Sequence, residues 1–362
     1  MELFFLIEKS KQVQLTTIFR YTILMKKTSI KDIARAAGVS IALVSYVLNG
    51  KEKQARIGKE IAETIKQKAK ELNYQPNQIA KSLKTGKTHT IGLIVADISN
   101  PFFANIARTI EDEAKKSNYT VIFGSSDESP EKSKTLINVL LERQVDGFII
   151  APTEKSEAQI KYLTSLNIPV VLIDRYFPDL DTNYVVTDNL KASYTAVSHM
   201  IETGHKNIAM LAYASKLIHM QDRKKGYKKA LKENGLLPEK PLIKEIKFDL
   251  VEEEMDAAIE ELTTAVPSID AIFFATNTLA LHGIKSLTKR KYKIPKDLAV
   301  ACFDKGDAFD FFYSPITFVD QPLEEEGIKA VQILVNQIDN TSSAPQQVAL
   351  QSKLVIRKSS GA

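Results

Sequence analysis

The chain has 362 residues, of which 44% are hydrophobic and 26% charged, and it carries a formal net charge of +5. This length suits two or three domains with buried cores, and the composition is that of a globular protein. The single cysteine, Cys302, excludes an internal disulfide and a multi-cysteine metal site, and the five histidines lack the paired helical spacing that zinc requires.

The first 24 residues contain a short apolar patch that follows an acid and lacks a small-residue cleavage site. We therefore expect no export signal, a cytoplasmic protein, and translation beginning at Met25, with residues 1–27 a non-native or disordered extension. The sequence contains no run of about 18 apolar residues, which predicts that the chain does not span a membrane.

Residues 29–50 predict two short helices joined by a tight turn. Ser29 is placed to cap the first helix, and Asp32 completes a capping box. Gly38 ends that helix in the left-handed conformation, and Ser40 caps a second helix that runs to Leu48. Such a pair is the geometry that places a second helix in the major groove of DNA, although an ordinary helical hairpin has the same pattern.

The second helix has distinct inward and outward faces. Val39, Val44, Val47 and Leu48 form the predicted inward face, whereas the predicted outward residues are Ile41, Ala42, Ser45 and Tyr46. Between residues 26 and 89 there are fourteen basic and five acidic side chains, a balance of about +9 that exceeds the charge of the whole chain. The positive charge is therefore concentrated where DNA phosphates would be met.

A third helix is predicted at about 58–72, with Ile57, Ile61, Ile65, Ala69 and Leu72 on its apolar side. It completes a small three-helix core. The following segment, 77–83, is a short potential helix with little to pack against, and by itself it is typical of a solvated tether.

From residue 88 onward, apolar runs alternate with amphipathic helices. This alternation predicts two doubly wound parallel sheets. The predicted strands are 90–96, 119–124, 147–151, 169–174, 184–187, 207–212, 269–275, 298–303 and 317–320. The predicted helices are 102–117, 130–143, 156–166, 189–203, 220–234, 252–264, 277–289 and 322–339.

Polar and aromatic residues follow the predicted strands, where open parallel sheets bind their ligands. They are Asn100, Phe102, Phe103, Asp127, Asp174, Arg175, Arg223, Asn277, Asp304 and Gln321. Each alone could be a strand-end cap or a surface charge. Together they supply aromatic faces, carboxylates, amides and guanidinium groups, which suit the rings and hydroxyls of a sugar. The sequence lacks P-loop, dinucleotide-binding and nucleophile-elbow patterns, which favours a binding scaffold.

Over residues 28–359 the chain resembles the lactose and galactose repressor (LacI/GalR) family. The motifs that carry this resemblance are SIKDIARAAGVS, VSYVLNG, NYQPNQIAKSLKTGKT, GLIVADISNPFF, VDGFII, GHKNI and LVIRKSS. The resemblance implies a dimer on a pseudo-palindromic operator, with linker helices that fold only on DNA. It places Ile41, Ala42 and Tyr46 at base edges, Leu43 and Ser45 near the backbone, and Leu83 as a wedge in the central minor groove. The whole expected DNA-binding set is Ser40, Ile41, Ala42, Leu43, Ser45, Tyr46, Asn49, Arg56, Asn77, Ser82 and Leu83.

The resemblance also implies that the strand-end residues bind an effector, and it adds Phe248 to them. The segment 215–221 departs from the polar pattern common in the family, since it contains Leu217, Ile218 and His219. A hexose, a pentose and a sugar acid therefore remain open as the effector, and so does the direction of its effect on DNA binding. No cofactor or metal is expected.

The expected fold is a small all-α helix-turn-helix domain at 28–76, a hinge at 77–87 and a periplasmic-binding-protein-like α/β core at 88–362. The first lobe is expected to contain about 88–186 and 319–340, and the second about 187–318 and 341–358. The expected function is transcriptional regulation, with a dimer formed through the helix at 102–117. A transport binding protein and a sugar-modifying enzyme that uses Asp174 and Asp304 are the alternatives.

Overall fold

The computed structural model describes residues 28–76, 82, 86–266, 268–340 and 344–361. The chain forms two compact units, one ending at Gly86 and the other beginning at Lys87. The predicted hinge helix at 77–83 lies outside the described residues, apart from Ser82.

The first unit contains three helices: α1 (Ile30–Ala37), α2 (Ile41–Leu48) and α3 (Lys59–Glu71). The predicted caps are confirmed. The Ser29 backbone N–H donates to the Asp32 carboxylate at 3.0 Å, completing the capping box. Gly38 closes α1 with a φ of 67°, and the Leu43 N–H donates to the Ser40 hydroxyl at 3.2 Å. These local signals turn the chain between α1 and α2 as the sequence predicts.

The three helices enclose a small core. Its fully or nearly fully buried members are Ile33, Ala34, Val44, Val47, Ala62, Ile65 and Ala69. The predicted apolar side of α3 was partly wrong, because Ile61 is 45% exposed and Leu72 is 37% exposed. Since Ala62, Ile65 and Ala69 share the inward face, Ile61 lies one residue, about 100°, away from it.

The second unit contains two six-stranded sheets, each with helices on both faces. The first sheet contains β1 (Thr90–Val95), β2 (Thr120–Ser125), β3 (Gly147–Ile150), β4 (Val170–Ile173) and β5 (Asn183–Thr187), joined by β11 (Gln347–Leu350), in the order β11-β5-β4-β3-β1-β2. The second contains β6 (Ile208–Tyr213), β7 (Ile243–Ile246), β8 (Ala271–Phe274), β9 (Ala299–Phe303), β10 (Thr317–Asp320) and β12 (Lys353–Val355), in the order β12-β10-β9-β8-β6-β7. All pairings are parallel except that of β10 with β12.

The helices lie between the strands, close to the predicted positions, except that the short helix Ala308–Phe311 was not predicted. They are α4 (Pro101–Lys116), α5 (Pro130–Glu142), α6 (Glu157–Ser165), α7 (Asn189–Glu202), α8 (Ile218–Glu233), α9 (Val251–Thr264), α10 (Asn277–Lys289), α11 (Ala308–Phe311) and α12 (Leu323–Asp339). Because helices cover both faces of each sheet, strands such as β1 are buried almost throughout. None of the helices in the described part of the chain is long and apolar enough to cross a membrane.

The predicted boundaries of the two lobes need correction at their C-terminal end. β10 lies wholly in the second sheet, so the first lobe resumes with α12, which packs on β3, β4 and β5. β11 then adds to the first sheet and β12 returns to the second, so the expected assignment of 341–358 to the second lobe was wrong for Gln347–Leu350, whereas Lys353–Val355 does belong to the second sheet. β7, β11 and β12 were not predicted, because each has only three or four residues and a mixed polar pattern.

Candidate functional site

A cavity of about 480 Å³ lies in the second unit, where residues that follow strands of both sheets converge. Among the predicted residues, those that line it are Asn100, Phe102, Phe103, Asp174, Arg175, Arg223, Phe248, Asp304 and Gln321. The lining residues between 97 and 175 belong to the first lobe, whereas Arg223, Phe248 and Asp304 belong to the second. Gln321 lies between β10 of the second sheet and α12 of the first lobe. The cavity is therefore a cleft between the lobes.

Two aspartates occupy corresponding positions on the two sides of the cleft. Asp174 follows β4 with a φ of 64°, and Asp304 follows β9 with a φ of 73°. Asp is one of the few residue types other than glycine that adopt this left-handed conformation readily. Each sheet therefore ends in a turn that brings a carboxylate to the cleft.

Arg175 is held by hydrogen bonds on the first lobe's side of the cleft. Its Nη1 and Nη2 atoms donate to the two Glu128 oxygens, each at 2.9 Å, and its Nε donates to the Asp174 carboxylate at 2.8 Å. The side chain is buried, and burial alone would lower the pKa of Arg175, but Glu128 and Asp174 raise it above its ordinary value. The guanidinium is thus a fixed, neutralised cation.

Arg223 lies on α8 of the second lobe, and groups of that lobe hold its guanidinium in place. Its Nε donates to the Asn189 side-chain oxygen and its Nη1 to the Ala275 carbonyl, both at 2.8 Å, and its guanidinium carbon lies 3.6 Å from the centre of the Phe303 ring. Asp304 Oδ2 is 3.9 Å from Nη1. Burial lowers the pKa of Arg223, and the Asp304 carboxylate opposes that shift. Stacking and three polar partners fix the plane of the guanidinium.

A buried carboxylate supports each side of the site. Burial raises the pKa of Asp304, which accepts a hydrogen bond from the Gln321 amide. Behind Asp174, the wholly buried Glu326 accepts a hydrogen bond from the Asp174 N–H at 2.8 Å. Burial and then the Asp174 charge raise the pKa of Glu326 to about 8, so that this carboxyl is protonated at neutral pH.

Two predicted residues do not line the cavity. Asp127 is exposed and pairs with Ser125 and Lys132, whereas the next residue, Glu128, reaches the cleft. Asp127 and Glu128 both have a positive φ, and the turn that they form directs the Glu128 side chain into the cleft and the Asp127 side chain away from it. Asn277 is buried beside the cavity, where its amide lies 3.3 Å from the Lys305 carbonyl and 3.5 Å from the Asn100 side-chain oxygen. It joins the lobes instead of lining the cleft.

Sequence reasoning also missed several lining residues. Glu128, Tyr213, His219, Thr276 and Thr278 line the cavity, and the acidic residues at its edge are Asp97, Asp249, Glu252 and Glu253. The strand-end rule extended by one residue would have found Glu128. His219 lies within the segment whose sequence departs from the family pattern.

The first unit presents a separate surface along the start of α2. Ile41 and Tyr46 are each 48% exposed, and Ser40, Ala42 and Asn49 are also exposed. Leu43 packs partly into the three-helix core, and Ser45 is half-buried. Arg56 is exposed in the loop before α3, whereas Asn77 and Leu83 lie outside the described residues.

A capped helix-turn-helix unit, joined in one chain to a two-lobed α/β unit with a polar and aromatic cleft, defines a class of protein: ligand-responsive DNA-binding regulators. Residues 29–77 match the family described as bacterial regulatory proteins, lacI family, and residues 88–358 match periplasmic binding proteins and the sugar binding domain of the LacI family. The chain therefore belongs to the LacI family of bacterial transcriptional regulators, which confirms the predicted family, fold class and regulatory function.

Curated relatives match almost from end to end. The ribose operon repressor of Halalkalibacterium halodurans is 32% identical over 331 residues, which are 91% of this chain and 96% of the relative. The transcriptional regulator DegA of Bacillus subtilis is 32% identical over 336 residues, 92% of this chain and 98% of the relative. These relatives are transcriptional regulators.

Solved structures show the same architecture. A complex of the transcriptional regulator CelR with cellobiose is 26% identical, with a TM-score of 0.69, and the match covers 92% of this chain and all of CelR. The lac repressor dimer bound to operator gives a TM-score of 0.81 over 92% of this chain and 99% of the repressor, at 22% identity. Because the identity to the lac repressor is only 22%, that similarity shows a shared fold and nothing about function.

Proposed function

We propose that this regulator binds a pseudo-palindromic operator as a homodimer in the cytoplasm, and that a small neutral sugar bound in the interlobe cleft controls its affinity for DNA. The observation that carries the proposal is the pair of fixed guanidinium–carboxylate groups, Arg175 with Asp174 and Arg223 with Asp304, one on each lobe. A ligand that bonds to both groups stabilises one relative position of the lobes.

The polar and aromatic groups of the cleft suit a sugar. Phe102 and Phe103 lie at the N-terminus of α4 and meet edge to face, with ring centres 4.9 Å apart. Across the cleft, the Phe248 ring packs against Tyr213. Aromatic faces of this kind cover the apolar side of a pyranose or furanose ring. Carboxylates and guanidiniums accept from and donate to neighbouring hydroxyls in pairs.

The charge of the cleft favours a neutral sugar over a sugar acid. Seven carboxylates line the cavity against two arginines: Asp97, Glu128, Asp174, Asp249, Glu252, Glu253 and Asp304. Arg175 already donates from all three of its nitrogens to carboxylates. An anionic ligand would therefore meet net negative charge in spite of the two arginines.

The exposed start of α2 supports operator recognition. Ile41 and Ala42 suit thymine methyl groups, while Tyr46 offers a hydroxyl and a ring one helical turn later. We propose the predicted set as the DNA contacts, including Asn77, Ser82 and Leu83 of the linker. A coupling free energy of about 1 to 3 kcal/mol between sugar and DNA would change operator affinity roughly 5- to 150-fold.

The first lobe offers a surface for dimer formation. β2 is the edge strand of the first sheet, and its Ile122 and Phe123 are 41% and 58% exposed. α4 packs beside this strand. An apolar edge strand next to a long helix is the kind of surface that a second copy of the chain covers in a symmetric dimer.

The test is operator binding measured against a sugar panel. An operator selected from random DNA is titrated at fixed salt, with pentoses, hexoses and their acids added in turn, and calorimetry gives each sugar's affinity. Arg223→Ala should lose the sugar response and keep operator binding, whereas Arg143→Ala, an exposed arginine outside the cleft, should keep both. Undiminished sugar affinity in Arg223→Ala would count against the site.

The same panel tests the expectation that the protein is not an enzyme. Each sugar that binds is incubated with the protein and the mixture is analysed for products. Asp304 is engaged by Gln321, and Asp174 by Arg175, so we expect no turnover. Formation of any product would contradict this expectation.

A further inference from the structure

Residues 215–219 run from just after β6 into the first turn of α8 and contact both lobes; we call them the interlobe strap. Although the strap begins in the second lobe, Glu154 of the loop between β3 and α6 in the first lobe holds it. The Ser215 hydroxyl and the Lys216 N–H both donate to the same Glu154 oxygen, at 2.8 and 2.7 Å. A charged acceptor that serves two donors gives a strong and directional contact.

Leu217 extends this contact into the core of the first lobe. It is 6% exposed and belongs to a hydrophobic cluster with Ile150, Ile160, Phe177 and Leu180. Every other described member of that cluster comes from the first lobe. The second lobe therefore buries an apolar side chain in its neighbour, and opening the lobes would return that side chain to water.

The other end of the strap reaches the cleft. His219 lines the cavity, is 92% buried, and its Nδ1 atom has no hydrogen-bond partner among the described residues. It lies one helical turn before Arg223 on α8. Burial and the charges of Arg175, Arg223 and Lys224 hold the pKa of His219 well below its usual range, so the ring is neutral and can accept or donate.

Within its own lobe the strap is fixed to α8. The Gln221 amide donates to the Ser215 carbonyl at 2.6 Å, and the Leu217 N–H donates to the Ser215 hydroxyl at 3.2 Å. The residue in the cleft and the residue in the first lobe's core therefore belong to one short, internally bonded segment. His219 and Leu217 are only two residues apart in this segment.

We propose that the interlobe strap is a latch: Leu217 and Glu154 hold the lobes closed, and His219 reports the occupancy of the cleft to that latch. The second half of the proposal rests on the sugar-binding function proposed above, whereas the first half does not. Leu217 and Glu154 thus act as positioning residues for the ligand site, and His219 as a binding residue that sets which ligands engage the latch.

The latch is tested by measuring the distance between the lobes without sugar. Cys302 is fully buried and its thiol pKa is raised by burial, so spin labels can be directed to two introduced cysteines. Lys134→Cys on α5 and Lys285→Cys on α10 are exposed positions, one in each lobe. Labelled chains mixed with an excess of unlabelled chains give dimers with labels in one subunit.

Leu217→Ala should shift the distance distribution to longer values. Truncation of a buried leucine typically costs enough to change a two-state ratio by about 30-fold or more. Leu166→Ala, which removes a leucine that is 48% exposed in the first lobe, should leave the distribution unchanged. Glu154→Ala provides a second test in case Leu217→Ala fails to fold, because it leaves no cavity in the core. Its control is Glu157→Ala, at an exposed position on α6. Unchanged distances in both Leu217→Ala and Glu154→Ala would overturn the latch.

A sugar found in the panel then tests the role of His219. In the wild-type chain the sugar should narrow the distribution of interlobe distances. In Leu217→Ala the same narrowing should need more sugar, up to about 30-fold more, because the apparent Kd rises as the fraction of closed lobes falls. His219→Ala should keep the sugar-free distances and lose the narrowing; a full response in that variant would overturn the coupling. If Leu217→Ala opens the lobes but no sugar alters the distances of the wild type, the latch stands and the proposed effector class fails.

Discussion

Glu326 provides the sharpest test of the electrostatics behind the cleft. The side chain is wholly buried in the first turn of α12, and one of its oxygens accepts the Asp174 N–H. The other oxygen has no hydrogen-bond partner among the described residues. Burial, followed by the Asp174 charge, raises the pKa of Glu326 to about 8 from an ordinary value of 4.5.

The sign of the pH effect follows from linkage. The stabilising contribution of a raised carboxyl pKa is complete below pH 4.5 and is lost as the pH rises towards 8, because the unfolded chain releases the proton first. The loss is about 1.4 kcal/mol per pH unit, or about 3 kcal/mol between pH 5.5 and 7.5. Glu326→Gln cannot ionise, and its amide oxygen can still accept the Asp174 N–H. The unfolding free energy of Glu326→Gln minus that of the wild type should therefore rise by about 3 kcal/mol over this pH range.

The assay is urea unfolding at pH 5.5, 6.5 and 7.5, followed by circular dichroism, since the chain contains no tryptophan. Titration of the histidines is common to both proteins and cancels in the difference. Glu324→Gln, an exposed neighbour on the same helix, should give a difference that does not depend on pH. A difference between Glu326→Gln and the wild type that is equally flat would refute the argument.

Three further predictions concern the DNA surface, the core and the dimer. Tyr46→Ala should weaken specific operator binding by about 1 to 3 kcal/mol and change non-specific binding much less; equal losses at fixed salt would contradict a reading role. Gly226→Ala should destabilise the protein by about 3 kcal/mol in thermal or urea unfolding, because a Cβ there would lie 2.3 Å from the Leu190 carbonyl oxygen; a loss below about 1 kcal/mol would show that α7 and α8 can separate. Phe123→Asp should convert the proposed dimer to a monomer, as judged by light scattering, and a mass that stays that of a dimer would exclude the β2 edge as the interface.

The sequence by itself determined what depends on neighbours along the chain. The Ser29–Asp32 capping box and the left-handed Gly38 were predictable because each involves groups within a few residues. The central strands of both sheets were predictable from runs such as those of β1 and β9, because strands covered by helices on both faces are almost wholly apolar. The strand-end rule likewise located eight of the twenty residues that line the cleft.

Only the tertiary structure decided how those residues are partnered. Arg175 binds Glu128, 47 residues away, and Glu326 supports Asp174, 152 residues away, so periodicity could not reveal either contact. Leu217 is apolar in the sequence, but its burial in the other lobe's core depends on the closed position of the lobes. Local pattern specifies the elements, because helices and turns form from contacts within a few residues. The charge balance of the cleft and the latch across it depend on groups that meet only when two separately wound sheets pack together.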